Sequence, residues 1–149
     1  MTLIEIVNEL KAIAMTQPNI RSAGEGNIYD YMNGNPSSKY SVFFISQTVH
    51  REDENFAYYG FNLFHINRLD STLENNRLQE QSIAKDVLSN IVKTFCVLHD
   101  ANVESLVYHP FTEKFKDLTC GMYVTVEFQI PLDYLCEEDY WYGTIKKRN

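Results

Sequence analysis

The side chains able to bind a metal or move a proton are thinly scattered in this 149-residue chain. Four histidines, His50, His65, His99 and His109, come first, because imidazole serves both purposes most often. None sits in a His-Glu-x-x-His arrangement on a helix. His65 and His109 fall in β-rich stretches and could approach one another across a sheet, but no carboxylate motif accompanies them, so zinc is not implied. The run "REDE", Arg51 to Glu54, offers carboxylates to a divalent cation. Between two apolar runs it reads better as a solvated hairpin tip that shields a sheet edge. Cys96, Cys120 and Cys136 are odd in number, lack the close pairing of a metal knuckle and have no local base signature. They read as reduced, buried thiols. "AGEGN", Ala23 to Asn27, has neither a preceding strand, nor a third glycine, nor a Lys-Ser/Thr pair, so it is a turn and no phosphate cradle. The expectation is therefore no catalytic residue, no cofactor and no metal.

Two other stretches look built for contact. "EEDYWYG" sets three carboxylates beside Tyr140, Trp141 and Tyr142; so many charges do not share one small core, and Tyr and Trp dominate interface hot spots. In "CGMYVTVEFQIP" the apolar Cys120, Met122, Val124, Val126, Phe128 and Ile130 alternate with Tyr123, Thr125, Glu127 and Gln129. That period of two is a strand with one face on a core. Its polar face meets solvent or a neighbouring subunit, which makes Tyr123, Thr125 and Glu127, with Tyr140, Trp141 and Tyr142, the candidate protein-interface residues.

The elements that must position these residues follow from periodicity. Leu3, Val7, Leu10 and Ala14 recur at helical spacing, predicting a helix over residues 2–15 that Pro18 ends. Residues 16–38 form a long loop rich in Gly, Asn, Pro and Ser, within which "IYDYMN" can make one helical turn that docks Ile28, Tyr31 and Met32. "KYSVFFISQTV" and "NFAYYGFNLFHINRL" read as an antiparallel hairpin with apolar residues on both faces. Ser71 with Glu74 fits a capping box for a second helix ending near His99. "VESLVYHP" and "CGMYVTVEFQIP" are two further strands joined by "FTEKFKDLT", the last closed by Pro131.

The fold class is α+β: one domain over residues 1–136, an antiparallel sheet of about four strands with two main helices on one face, in α-β-β-α-β-β order. Residues 137–149 are an aromatic and charged tail. A chain of this size buries roughly 68–70% of its unfolded surface and needs no disulfide. The net charge of −7 argues against a protein that grips nucleic acid, though not against contact with DNA that slides past. No apolar run reaches the roughly 20 residues of a membrane span, and Glu5 and Glu9 argue against a secretory signal.

Three stretches, "YSVFFISQTVHREDENFAYYGFNLFHINRLD", "LQEQSIAKDVLSNIV" and "YHPFTEKFKDLTCGMYVTVEFQIP", resemble the connector and tail-terminator proteins of tailed bacteriophages, and more closely the ring proteins of crAss-like phages. They cover most of the chain from Tyr40 to Pro131 in the family order of helix, hairpin, helix, hairpin. The Cys120 to Ile130 strand fits best; the tail after Pro131 and the loop before Ser38 match nothing in the family. The resemblance implies a structural protein: a homo-oligomeric ring in the neck or tail of a virion, made in the host cytoplasm. It would stack on portal, connector or tail proteins, with DNA only as cargo in its channel. Abundant aromatics and doubled apolar faces suit such contacts. Two alternatives remain at this point: a small adaptor that binds another protein through "DYWYG", and a small hydrolase using His65, His109 or the "REDE" carboxylates.

Overall fold

The computed structural model describes residues 1–34, 40–69 and 76–132. The first helix, α1, runs Leu3–Met15. Thr2 caps it: the Glu5 N–H donates to the Thr2 hydroxyl and the Thr2 N–H to the Glu5 carboxylate, so two of the backbone donors that every helix start leaves unpaired are satisfied. The bond from the Thr2 backbone N–H, and after it the Thr2 hydroxyl, hold the Glu5 carboxyl below its ordinary pKa.

A short strand, β1 (Ser22–Glu25), precedes a two-turn helix, α2 (Ile28–Gly34). Gly26, at φ +108°, turns the chain between them, a backbone region that glycine enters without penalty. The long strands β2 (Val42–Glu52) and β3 (Phe56–Arg68) follow, then α3 (Asn76–His99), β4 (Val107–Lys114) and β5 (Leu118–Pro131). Asp100, at φ +52°, closes α3 in the left-handed conformation while the Ala101 N–H reaches back to the Cys96 carbonyl.

The strands form one sheet in the order β1-β2-β3-β5-β4. The β1–β2 pair is parallel and the other three are antiparallel. The expectation of about four antiparallel strands is thus corrected to five in a mixed sheet. The additional strand is "SAGE", too short and too poor in β-branched residues to carry a periodic signal. The turn expected in "FTEKFKDLT" is also shorter, because β4 continues to Lys114 and only Phe115, Lys116 and Asp117 connect it to β5. The capping box expected at Ser71 and Glu74 lies outside the described residues.

Helices α1 and α3 cover one face. Leu10 and Ile13 of α1 and Leu88, Ile91 and Phe95 of α3 pack on Phe43, Phe61, Leu63, Val124, Val126 and Phe128 of the sheet. The ring of Phe128 lies 4.6 Å from that of Phe95 and 6.1 Å from that of Phe61, tilted in both cases, which is the geometry aromatic quadrupoles prefer. A smaller apolar cluster lies on the opposite face, where α2 lays Met32, Ile28 and Tyr31 over Val42, Phe44 and Ile66. The doubled apolarity of the first hairpin therefore has an internal cause over part of its length: helices on one side, α2 on the other.

Two buried details fix the centre of the sheet. Gly121 sits opposite Ile66, and any Cβ there would run into the His65 carbonyl oxygen, so the β3–β5 pair closes only around glycine. His65 points to the helix side, is 1% exposed, and among the described residues neither ring nitrogen has a hydrogen-bond partner. Burial pushes its pKa down to about 4, so the ring is neutral in the folded protein.

The unfolded chain, with an ordinary imidazole near 6.5, takes up that proton first. Stability supplied by the neutral ring is thus complete above pH 6.5 and drains away as pH falls toward 4, by about 3 kcal/mol if the full difference is realised. Denaturant titrations from pH 7 to 4 are expected to show this acid limb in the wild type and a shallower one in His65→Leu.

Candidate protein-interaction surface

The face of the sheet away from α1 and α3 divides into an aromatic half and a polar half. The aromatic half is a row of rings crossing four strands. His109 of β4 stacks on Tyr123 of β5 at 4.5 Å, and Tyr123 on Phe64 of β3 at 4.9 Å. Phe64 meets Phe44 of β2 edge-on, and Phe44 touches Tyr31 of α2. The stacked rings lie face to face across the strands. This row ties the four strands and α2 together through ring contacts.

Beside it lies an open groove of about 410 Å³, floored by Gly60, Thr125, Glu127 and Gln129 and walled by Thr48, Val49, Tyr58, Glu104, Ser105 and Val107. Its shape starts from a β-bulge. Between Gln47 and His50 the β2–β3 register slips by one residue, so Thr48 and Val49 both lie across from Gly60. A Cβ on Gly60 would meet the Thr48 hydroxyl and the Val49 carbonyl, so the bulge depends on that glycine. The Gly60 N–H donates to His50 Nδ1, which leaves Nε2 as the protonated nitrogen, donating to the Gln47 side-chain oxygen.

Beyond the bulge a charged chain of contacts crosses the groove floor. Arg51 donates to both carboxylate oxygens of Glu127, at 3.3 and 3.1 Å, and its guanidinium lies 3.6 Å from the centre of the Tyr58 ring. The Tyr58 hydroxyl donates to Asp53 at 2.8 Å. Asp53 also accepts from the backbone N–H groups of Asn55 and Phe56, forming the hairpin turn. The Asn55 bond, then the Tyr58 bond, hold Asp53 below the ordinary carboxylate range; the same Tyr58–Asp53 bond pushes the phenol up, and the Glu127 carboxylate raises Arg51. This network orders a solvent-facing surface. All four groups are open to water, so it adds little to global stability.

The expected interface residues of β5 do share this face. Tyr123 belongs to the aromatic row, while Thr125, whose hydroxyl donates to Asn62, and Glu127 lie in the groove. Tyr140, Trp141 and Tyr142, with the whole tail 137–149, lie outside the described residues. His65 and His109 are not brought together: one points to the helices, the other lies on the opposite face, with β5 between their strands. Of "REDE", Arg51 and Glu52 are strand residues and Asp53 shapes the turn. His99, at the end of α3, approaches Glu9 of α1 at 3.7 Å. Cys120 is buried and Cys96 half-buried, and burial raises both thiols. Among the described residues no group of three or more His, Cys, Asp and Glu is arranged to hold a metal ion, and no helix is long and apolar enough to cross a membrane.

Sequence reasoning reached the face but missed the groove. Arg51 and Glu127 lie 76 positions apart, and no local pattern joins them. The one signal available was Gly60, a glycine in the middle of an aromatic strand, which marks a bulge or a close approach.

Among the described residues the sheet also has two open edges. β4 is the last strand on one side. On the other, β1 pairs only with positions 42–45 of β2, so from position 46 to 52 β2 has β3 as its one neighbour among the described strands. Neither a protein-family model nor a curated protein matches the chain.

Adjacent positions on β5 give a direct check of which side is buried. Val126 is 2% exposed beneath α3, so Val126→Asp is expected to cost several kcal/mol, since a lone carboxylate there has no partner. Thr125→Asp, on the groove floor, should cost no more than about 1 kcal/mol. Urea midpoints of the two variants measure the contrast.

Proposed function

We propose that this protein is a structural component of a tailed-bacteriophage virion, forming a homo-oligomeric ring in the neck or tail through which DNA passes. The observation that carries the reading is the unfinished state of the sheet: its core is closed on the helix side, while the polar groove and two unlike edges are left open among the described residues. Large apolar side chains are exposed on the helix layer as well, Ile4 on α1 and Val97 and Leu98 on α3. A subunit with several dissimilar open surfaces forms head-to-tail contacts, and such contacts generate rings when the rotation closes.

The charge is in keeping with a channel. An acidic wall repels the phosphate backbone, so DNA moves past instead of binding. Stacking partners in this reading are portal, connector or tail proteins, and the virion is the place of action. The resemblance of the hairpin–helix–hairpin stretch to phage ring proteins points the same way.

Native mass spectrometry and negative-stain microscopy of the purified protein, alone and with the products of adjacent genes, are expected to find ring-sized assemblies. Antibody labelling of virions should place it at the neck or tail. A protein that stays monomeric with every neighbour and is absent from virions overturns the reading.

A further inference from the structure

We propose that His50 is an acid-released latch: its neutral ring holds the β2 bulge that walls the groove, and proton uptake by that ring undoes the bulge and reshapes the wall. The latch belongs to the groove itself and does not depend on ring assembly. Where the β2–β3 register slips, Thr48 and Val49 lie across from Gly60, and the Gly60 N–H is met at 3.1 Å by a side chain, His50 Nδ1. The other ring nitrogen, Nε2, donates to the Gln47 side-chain oxygen at 2.9 Å. One imidazole thus ties both ends of the bulged segment, Gln47 and His50, to the strand opposite. Val49, 72% exposed, is an apolar side chain that this arrangement holds out at the groove wall.

The nitrogen that accepts is also the nitrogen that titrates. A neutral imidazole has one acceptor nitrogen, and here Gly60 occupies it; in the imidazolium both nitrogens are donors. Holding the Gly60 N–H and holding a second proton are therefore mutually exclusive, and no rotation of the ring restores an acceptor. The ring is also kept in place. It lies 5.6 Å from the Tyr59 ring and 5.6 Å from the Phe61 ring, tilted to both, and aromatic faces attract a cation. Phe61 is in turn fully buried against Phe128. With the ring held, the two opposed N–H groups part by movement of the bulge, whose residues Thr48 and Val49 are both exposed. The titratable and charged neighbours are Tyr59 on β3 and Glu52 on β2, whose carboxylate adds to burial in raising the Tyr59 phenol. On the α1 side the Tyr59 hydroxyl donates to the carbonyl of Met1, the residue that carries the amino terminus, and Lys11 and Glu25 line a hollow shared with Gln47. Arg51 turns to the other face of the sheet, onto Tyr58 and Glu127.

The test follows hydrogen exchange of the Gly60 amide in the full-length protein from pH 8 to 5, the window in which imidazoles titrate, with rates corrected for the intrinsic pH dependence of exchange. NMR reads it directly; for an assembled ring, mass spectrometry of fragments spanning positions 57–61 does so. In the wild type, protection of Gly60 is expected to fall by about tenfold one pH unit below the midpoint of the transition, and the Thr48 and Val49 resonances should move with the same midpoint while the β3–β5 ladder stays protected. Two variants at this exposed position separate His50 from the other histidines and from the amino terminus. His50→Asn puts a side-chain oxygen that does not titrate in the place of Nδ1, so Gly60 should stay protected across the range. His50→Phe keeps a ring beside Tyr59 and Phe61 but offers no acceptor, so protection should be low at every pH. Circular dichroism checks that each variant folds, and the wild-type titration decides by itself if one does not. Equal protection of wild-type Gly60 at pH 8 and pH 5 overturns the latch. So does loss of protection in His50→Asn in step with the wild type, or a His50→Phe variant as well protected as the wild type at pH 8.

Discussion

The register between β3 and β5 is the constraint on which the rest of the molecule depends. Thirteen consecutive residue pairs, from Phe56 with Pro131 to Arg68 with Thr119, join the two halves of the sheet. Side chains alternate strictly along both strands, so a slip of one residue would carry Val124, Val126 and Phe128 out from under α3 and put Thr125 and Glu127 into the core. Gly121 against the His65 carbonyl helps hold the register, because only at a glycine do the two backbones approach this closely. Every other feature, from the α3 packing to the groove floor, inherits its position from this pair.

Most of that arrangement was legible in the sequence, and the reasons are physical. The Cys120 to Ile130 alternation, the α1 stripe and the α3 stripe are long and periodic, and long periodic segments bury one face whatever surrounds them. Thr2 and Glu5 have the same Ser/Thr-x-x-Glu spacing as Ser71 and Glu74, and they form a complete capping box. The single turn read from "IYDYMN" is extended to the two-turn α2, with Met32 buried. What was not legible depends on residues distant in sequence. β1 is a strand because β2 offers it a parallel partner, not because "SAGE" has any preference of its own. The groove needs the bulge at Thr48 and Val49 together with Glu127, and neither segment carries a mark of the other.

The two halves of the far face serve different physical ends. The aromatic row from His109 to Tyr31 buries enough apolar surface to hold α2 and to stiffen four strands against one another. The polar half, anchored by Arg51 and Glu127, contributes order with little cohesion. Such a surface stays soluble in the free subunit and still presents fixed donors and acceptors to a neighbour, which is how rim contacts supply specificity more than affinity. A ring built from such subunits would be positioned by its polar faces and held by its apolar and backbone contacts.

The strand order also dictates a history for each molecule. The β2–β3 and β4–β5 hairpins are local and can close on their own, but the pair that unites them connects Phe61 to Val126 across the whole of α3. Loop-closure entropy makes that the late and slow event in folding. While the chain is being made, β3 therefore waits with its inner edge unpaired until β5 has been synthesised, and an unpaired edge on a strand this apolar is an invitation to the wrong partner. Glu52, Asp53 and Glu54 at the tip of the waiting hairpin keep charge at one end of that edge during the interval.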